Sequence, residues 1–424
     1  MVNKVLMLAF HFPPQRGSSG IQRTVKFAQY LPAHGWEPLV LSAHPRAYPD
    51  AGGAAYAGPA RVTRAFALDA ARQLALRGRY SRLFALPDRW AAWVLGAVPA
   101  GLRLVRRERP ALIWSTYPIA SAHLAALVLH RLTGLPWIAD LRDPMIDAVH
   151  PSDPWTRRAA AWVERQTVRH CSRAVCTTPG AVRSYRLRYP ALPPERFCLI
   201  ENGYDEEEFT SALPAPRPPD GPFRLLHSGI VYPLERDPGP LFAALARLQR
   251  EGVLAAGDFR LVLRAPVHEA LLAALAREHG VMDLVEIAPS LPYGAALGEM
   301  LAADGLLVLQ AANCNDQVPA KLYEYLRAGR PVLALTDPLG DTAGVMRAAG
   351  IDTLAPLDDA EAIAAALARF LALARAGQAP LAPPAFVRAQ ARQARTVQLA
   401  ALLDEVMAET QGRRRQAAKS AKAP

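Results

Sequence analysis

The chain of 424 residues is 51% hydrophobic and 21% charged, a composition that excludes an intrinsically disordered protein and allows a large core. Its length exceeds one ordinary domain and suggests two of roughly 200 residues each. The formal net charge is +11, yet the stretch GRRRQAAKSAKAP holds five cations (Arg413, Arg414, Arg415, Lys419 and Lys422) and no acid, so the body itself is only mildly basic.

The four cysteines, Cys171, Cys176, Cys198 and Cys314, show neither metal-ligand spacing nor the density of a secreted scaffold, which fits a reducing compartment. No run of 18 apolar residues occurs; WAAWVLGAVPAGLRLV from Trp90 is interrupted by Pro99 and Arg103, so a membrane span is not expected. VLMLAF follows a lone Lys4 and runs into Pro13 and Pro14 without a small-residue cleavage site, which argues against a signal peptide and for a cytoplasmic protein.

Short apolar runs alternate with helix-length segments along the chain, the pattern of βαβ units and parallel sheets. In the first half the predicted strands are VLMLAF, PLVLSA, LIWST, PWIADL, AVCTT and CLIENG; in the second they are FRLLHSG, FRLVLRA, VEIAP, GLLVLQ, PVLALT and DTLAP. PAPRPPDGP between them reads as a linker. The expected fold is α/β, with two Rossmann-like doubly wound parallel-sheet domains facing across a cleft. The expected divisions are residues 1–213, a linker at 214–222, residues 223–380, a helix at 381–410 returning to the first domain, and a disordered basic tail at 411–424. In such sheets ligands bind beyond the carboxyl ends of the strands.

Candidate site residues collect at those ends. After the first strand, Gly17-Ser18-Ser19-Gly20 opens a helix, and such a loop can cradle a phosphate or sugar; a tight turn with no ligand is the alternative. Arg23 lies one turn further on, either facing the cleft or solvated. ADLRDP closes a strand with Asp140, Arg142 and Asp143, either in the cleft mouth or in structural ion pairs. Residues 69–109 combine Arg72, Arg77, Arg79, Arg82, Arg103, Arg106 and Arg107 with Trp90 and Trp93, either an interfacial membrane segment or core tryptophans beside a solvated basic face.

In the second half Arg236 follows the strand FRLLHSG. In PAKLYEYLRAGRPV, Pro319 suits the first helical position and Gly329 supplies the stop. Lys321 falls in the first turn beside the positive end of the helix dipole, and Glu324 lies on the same face. One ligand can thus offer phosphate to Lys321 and hydroxyls to Glu324. Asp316 stands eight residues ahead of Glu324, placed to take sugar hydroxyls. Cations and a helix N-terminus aimed at a leaving diphosphate stabilise its growing charge, as transfer from a nucleotide sugar requires.

The succession FPP-x-x-G-S-S-G-x-x-R, ADLRDP, RDP-x-x-L and PAKLYEYLRAGRPVLAL resembles the group 1 glycosyltransferases of GT-B fold, the retaining kind found in bacterial polysaccharide assembly. The resemblance extends to about Phe370. It implies that Arg236 and Lys321 hold the donor diphosphate and that Glu324 binds the nucleotide ribose. Asp316 stands where the first glutamate of the family's E-x7-E element is expected, one methylene shorter. Ile230 stands where many members carry an arginine, and Thr116 where several carry an acceptor-side histidine; His123 reads as structural. The resemblance also implies a metal-independent reaction with no cofactor.

The resulting expectation is a hexosyltransferase moving a sugar, with retention, from a nucleotide-sugar donor to a lipid-linked or growing saccharide acceptor in cell-surface polysaccharide synthesis. Its partners include an anionic membrane at the inner face of the plasma membrane and exclude nucleic acid. Arg236, Lys321 and Asp143 are the expected catalytic residues, Asp143 as proton relay; Gly20, Asp316 and Glu324 bind the donor, and Gly17, Arg23 and Arg142 serve the acceptor. Competing readings are a nucleotide-sugar epimerase of the same two-domain fold and a non-catalytic protein binding membranes through its basic surface.

Overall fold

A computed structural model describes residues 2–15, 19–77, 79–147, 150–218 and 221–420. The chain divides into two compact units, one of residues 1–202 with 392–424 and one of residues 203–391. The first unit holds β1 (Asn3–Leu8), α1 (Ser19–Tyr30), β2 (Trp36–Ala43), β3 (Arg61–Ala65), α2 (Ala70–Gln73), α3 (Trp93–Glu108), β4 (Leu112–Thr116), α4 (Ala120–Thr133), β5 (Trp137–Arg142), α5 (Pro154–His170), β6 (Arg173–Cys176), α6 (Pro179–Arg188) and β7 (Phe197–Leu199). Its seven strands are all parallel, in the order β3-β2-β1-β4-β5-β6-β7. Winding therefore reverses at β1 and β4, which makes their carboxyl ends the place where loops diverge and a ligand can enter.

Residues 5–8 of β1 are fully buried, as expected of a strand covered on both faces. On one face Trp93, Ala122, Val163 and Ala181, from α3 to α6, pack against alternate strand residues. On the other lie Phe27 of α1 and a helix from the far end of the chain. The edge strand β3, of sequence RVTRA, was not among the predicted strands. Its residues are mostly only half-buried, and two arginines and a threonine leave little apolar signal.

The second unit comprises α7 (Glu206–Ser211), β8 (Phe223–Ser228), α8 (Gly239–Arg250), β9 (Phe259–Arg264), α9 (Glu269–Glu278), β10 (Val285–Ala288), α10 (Tyr293–Ala302), β11 (Gly305–Leu309), α11 (Ala320–Ala328), β12 (Val332–Leu335), α12 (Asp341–Ala348), β13 (Leu354–Ala355), α13 (Ala360–Arg375) and α14 (Pro384–Ala389). Its six parallel strands run β10-β9-β8-β11-β12-β13, so winding reverses at β8 and β11. Phe242, Leu245, Leu272, Leu367 and Phe370 cover one face; Phe209, Leu297, Tyr325, Leu326 and Met346 cover the other. All six strands predicted for this half are present.

Two expected divisions shift. The proline-rich stretch at 214–222 is not the junction between units: the Ala215 N–H donates to the Gly298 carbonyl at 2.9 Å, and Arg217 donates to the Ala302 carbonyl and Asp304, both at 2.7 Å. These bonds hold its described part on the second unit. The chain enters that unit at Gly203, where a Cβ would sit 2.2 Å from the Gln390 carbonyl oxygen. Only glycine permits that approach, since backbone cannot yield as a side-chain tip can.

The last helix, α15 (Arg392–Ser420), continues well past 410 instead of giving way to a disordered tail; alanine, arginine and lysine all favour helix. It belongs to the first unit. Leu399, Leu403 and Val406, at helical spacing, join that unit's core. Asp404 accepts from Trp36 Nε1 at 3.0 Å, and Arg395 donates to Glu201 at 2.6 Å. All four cysteines are free thiols. No helix of the described residues is long and apolar enough to cross a membrane.

His123, on α4, is fully buried with Nδ1 2.7 Å from Ser115 Oγ. Burial lowers its pKa from 6.5 to about 3. An unfolded chain therefore binds a proton that the native one refuses, so this contribution to stability is complete above pH 6.5 and declines as pH falls toward 3. Urea unfolding should show the destabilisation caused by His123→Gln to be smaller at about pH 4.5 than at neutrality.

Candidate functional site

In the second unit the site grows from the reversal point. β8 ends at Ser228, whose N–H donates to the Tyr325 hydroxyl at 2.8 Å and so locks the strand end to α11. Gly229 follows with φ +122°, and a Cβ there would lie 2.8 Å from Lys321 Nζ. The lysine thus lies against bare glycine backbone, which a side chain would displace. Pro319 is the residue before α11, not its first helical residue, and Lys321 sits in the first turn.

His227, fully buried on β8, has Nδ1 2.9 Å from the Leu307 carbonyl. A carbonyl can only accept, so Nδ1 carries the proton and Nε2 presents a lone pair. Lys321 Nζ, 3.2 Å from Nε2, donates to it. Burial, with Lys321 and Arg236 nearby, keeps His227 far below its usual range. Burial first, then repulsion from Arg236, holds Lys321 well below an ordinary lysine, while Glu324 acts in the opposite sense.

Arg236 arrives from the loop between β8 and α8. Its guanidinium lies over the Tyr232 ring at 5.1 Å and donates through Nη1 to the Ile230 carbonyl. The Ala311 N–H donates to the Glu235 carbonyl at 2.8 Å, tying that loop to the end of β11. Glu324, one turn after Lys321, accepts from the Tyr293 hydroxyl at 2.7 Å. Asp316 lies half-buried in the loop before α11; Gln310 shapes that loop by donating to the Cys314 and Gln317 carbonyls at 2.8 and 2.9 Å.

The structure therefore brings Arg236, Lys321 and Glu324 together around the Gly229 turn. Two half-buried cations that repel each other can receive a multiply charged anion, which would relieve the repulsion. Tyr293 and His227 were missed in the sequence. The histidine sits in FRLLHSG as though merely filling a buried strand, and the tyrosine follows a proline at a helix start; neither belongs to a spacing pattern. Among the described residues no group of three His, Cys, Asp or Glu side chains is gathered as a metal site.

In the first unit the candidates behave differently. Gly17 lies outside the described residues. Gly20, in the first turn of α1, is buried, and a Cβ there would stand 2.1 Å from Arg142 Nη1. Its bareness thus makes room for a protein side chain. Arg142 has φ 61° and ends β5, where the register with β6 shifts. It donates to the Tyr117 carbonyl at 3.1 Å, and its Nε is buried without a hydrogen-bond partner among the described residues. Asp143 accepts from Thr177 Oγ1 at 3.3 Å.

Arg23 corrects the reading of a cleft-facing cation. It is 4% exposed, pairs with Asp140 through Nε and Nη2 at 2.9–3.3 Å, and donates to the Glu201 and Ile200 carbonyls at 2.9 Å. Thr116 Oγ1 also donates to Asp140, at 2.9 Å. The arginine's donors are spent on protein.

Another residue at the same strand ends escaped notice. His11 follows β1 between Phe10 and Trp90, with ring centroids 5.3 and 5.5 Å away. Both its ring nitrogens are buried without a partner among the described residues. Burial, and Arg142 beside it, lower its pKa to about 4. A histidine flanked by two phenylalanines just before a glycine-rich loop was the available signal.

Residues 19–203 match the family of the glycosyl transferase 4-like domain. No curated protein matches the sequence. Among solved structures, sucrose-phosphate synthase of Thermosynechococcus elongatus aligns over 96% of this chain and all of its own, at 16% identity and a TM-score of 0.68. Anabaena HepE in complex with UDP and glucose covers 95% of this chain and all of its own, at 14% identity and 0.65. A UDP-N-acetylglucosamine 2-epimerase covers 91% of this chain and 92% of its own, at 13% and 0.50. At such identities the likeness is one of fold.

Proposed function

From a chain that carries a glycosyl transferase 4-like domain over residues 19–203 and builds two parallel-sheet α/β units of the GT-B type, we propose a hexosyltransferase that moves a sugar, with retention, from a nucleotide-sugar donor to a saccharide or lipid-linked saccharide acceptor in cell-surface polysaccharide synthesis. The observation that carries this reading is the Gly229 turn, with Lys321 against its bare backbone and Arg236 from the same loop. These groups neutralise the diphosphate as the glycosidic oxygen departs, and a fixed site does so without reorganising water at that moment. Glu324, oriented by Tyr293, takes the ribose hydroxyls, and Asp316 the sugar. Gly20 acts indirectly, by making room for Arg142.

On the acceptor side we assign Asp143 the role of receiving the hydroxyl proton, with Arg142 beside it in the chain. No metal or cofactor enters this scheme, since Arg236 and Lys321 supply the charge, and the reaction is placed in the cytoplasm. HepE has been crystallised with UDP, so UDP-sugars are the first donors to try. A ligand that binds only the native state raises its apparent stability by mass action. UDP or another nucleotide should raise the melting temperature, and Glu324→Ala should weaken its binding about 10- to 100-fold, as expected for lost hydrogen bonds to a charged group. If no nucleotide or nucleotide sugar shifts the melting temperature, the reading is overturned. The epimerase likeness supports a second reading, which incubation with donor alone separates: an epimerase changes the sugar without any acceptor.

A further inference from the structure

We infer that the outer face of α5, with the neighbouring residues 76–77 and 79–84, is a docking surface for an anionic membrane. Trp155, Arg158, Trp162, Arg165 and Arg169 are all exposed and fall within an arc of about 80° over about 21 Å of helix. The two tryptophans are 56% and 44% exposed, and Arg158 lies over the Trp155 ring at 5.7 Å. Glu164 is the only acid on α5. It is fully buried and bound by Tyr185, Arg188 and the Met145 N–H, so the exposed face carries no negative charge.

The tryptophans expected at an interface do not serve. Trp93 is fully buried, and Trp90 packs on Phe10. The exposed apolar residues of that region instead include Leu76, Tyr80, Leu83 and Phe84, interspersed with the exposed Arg77, Arg79 and Arg82. Arg82 lies 3.7 Å from Asp153, the residue that caps α5, so the two stretches adjoin. At the other end of α5, Arg131 donates to Gln166 and Arg414 to the Gly134 carbonyl at the end of α4.

The chemistry selects lipid. Indole rings with arginines suit the headgroup layer, where a flat apolar ring and a polar N–H are both satisfied. Phosphates attract the cations, each contributing about fivefold to partitioning near an anionic surface. Aromatic rings with arginine also suit single-stranded nucleic acid. Exposed leucines, however, offer nothing to a stacked base or a sugar, whereas the acyl boundary accepts them. This surface lies wholly within the first unit and does not depend on the donor site.

Cosedimentation of the full chain with phosphatidylcholine vesicles, with and without phosphatidylglycerol, tests the proposal. Binding is expected only with the anionic lipid and should fall with salt. Arg158→Ala with Arg165→Ala should weaken it about thirtyfold, and Trp155→Ala with Trp162→Ala about tenfold or more. Unchanged circular dichroism and melting would show both double variants to be folded. Absence of binding to anionic vesicles overturns the proposal. So does undiminished binding by both variants, complete loss on removing residues 411–424 alone, or binding to single-stranded DNA with none to vesicles.

Discussion

Lys321→Ala is expected to lower kcat/KM for sugar transfer by about 100- to 1,000-fold, the usual effect of removing one preorganised charge from a transition state. Its ammonium group is held against Gly229, donates to His227, and is kept from its ordinary proton affinity by burial and by Arg236. A bound diphosphate restores that affinity, so binding takes up a proton wherever free Lys321 has lost it. On the proposed function, donor affinity should therefore be greatest at low pH and fall as pH rises through the lowered value, below the range of an exposed lysine. Calorimetric titration of UDP in buffers of different ionisation heat should reveal the proton uptake, and Lys321→Ala should abolish it.

The same variant should not lose stability. A lysine whose folded pKa is depressed makes the native state less favourable at acid and neutral pH, and stability recovers as pH rises toward the unfolded value. Removing the cation removes that cost. Strong loss of turnover with an unchanged or higher melting temperature is the signature of a functional charge kept at the expense of stability. Full turnover in Lys321→Ala would sink the site.

Asp140→Ala should cost about 3–5 kcal/mol of folding stability, because it strands a buried charge. Asp140 is fully buried, accepts from Arg23 and Thr116, and holds α1 to the end of β5. Without it, the hydrogen-bond partners left to Arg23 among the described residues are the Glu201 and Ile200 carbonyls. Adding Arg23→Leu should restore part of the loss, since the pair is coupled and an apolar replacement needs no counter-charge. Urea unfolding of the two single variants and the double variant measures this. A loss below about 1 kcal/mol, the value of an exposed pair, would mean that the bridge is not structural.

Two arginines read alike in the sequence thus have opposite fates. Arg23 and Arg236 each follow a strand that ends near a glycine. Arg23, within a helix, turns inward and meets Asp140, a contact across 117 residues. Arg236 lies on a loop, its backbone N–H donating to the Tyr232 carbonyl and its guanidinium to the Ile230 carbonyl, which leaves its charge near Lys321. Local spacing carries no information about such distant partners. For the same reason Trp90 and Trp93 could stand for an interface in the sequence, while the exposed tryptophans on α5 passed unnoticed in a helix of ordinary composition.

What the sequence determined by itself was local and periodic. Apolar runs separated by helix-length segments specify parallel sheets, because a strand covered on both faces must be apolar throughout. The spacing of Lys321 and Glu324 puts both on one helical face, because a helix repeats every 3.6 residues. Tertiary structure alone decided where the chain changes units, since Arg217 and Gly203 act through partners tens of residues or more away. It also decided that Gly20 makes room for an arginine, that Tyr293 bonds Glu324 and His227 bonds Lys321, and that α15 completes the first unit. Those outcomes depend on which surfaces meet when the sheets wind, and no short window of sequence contains both surfaces.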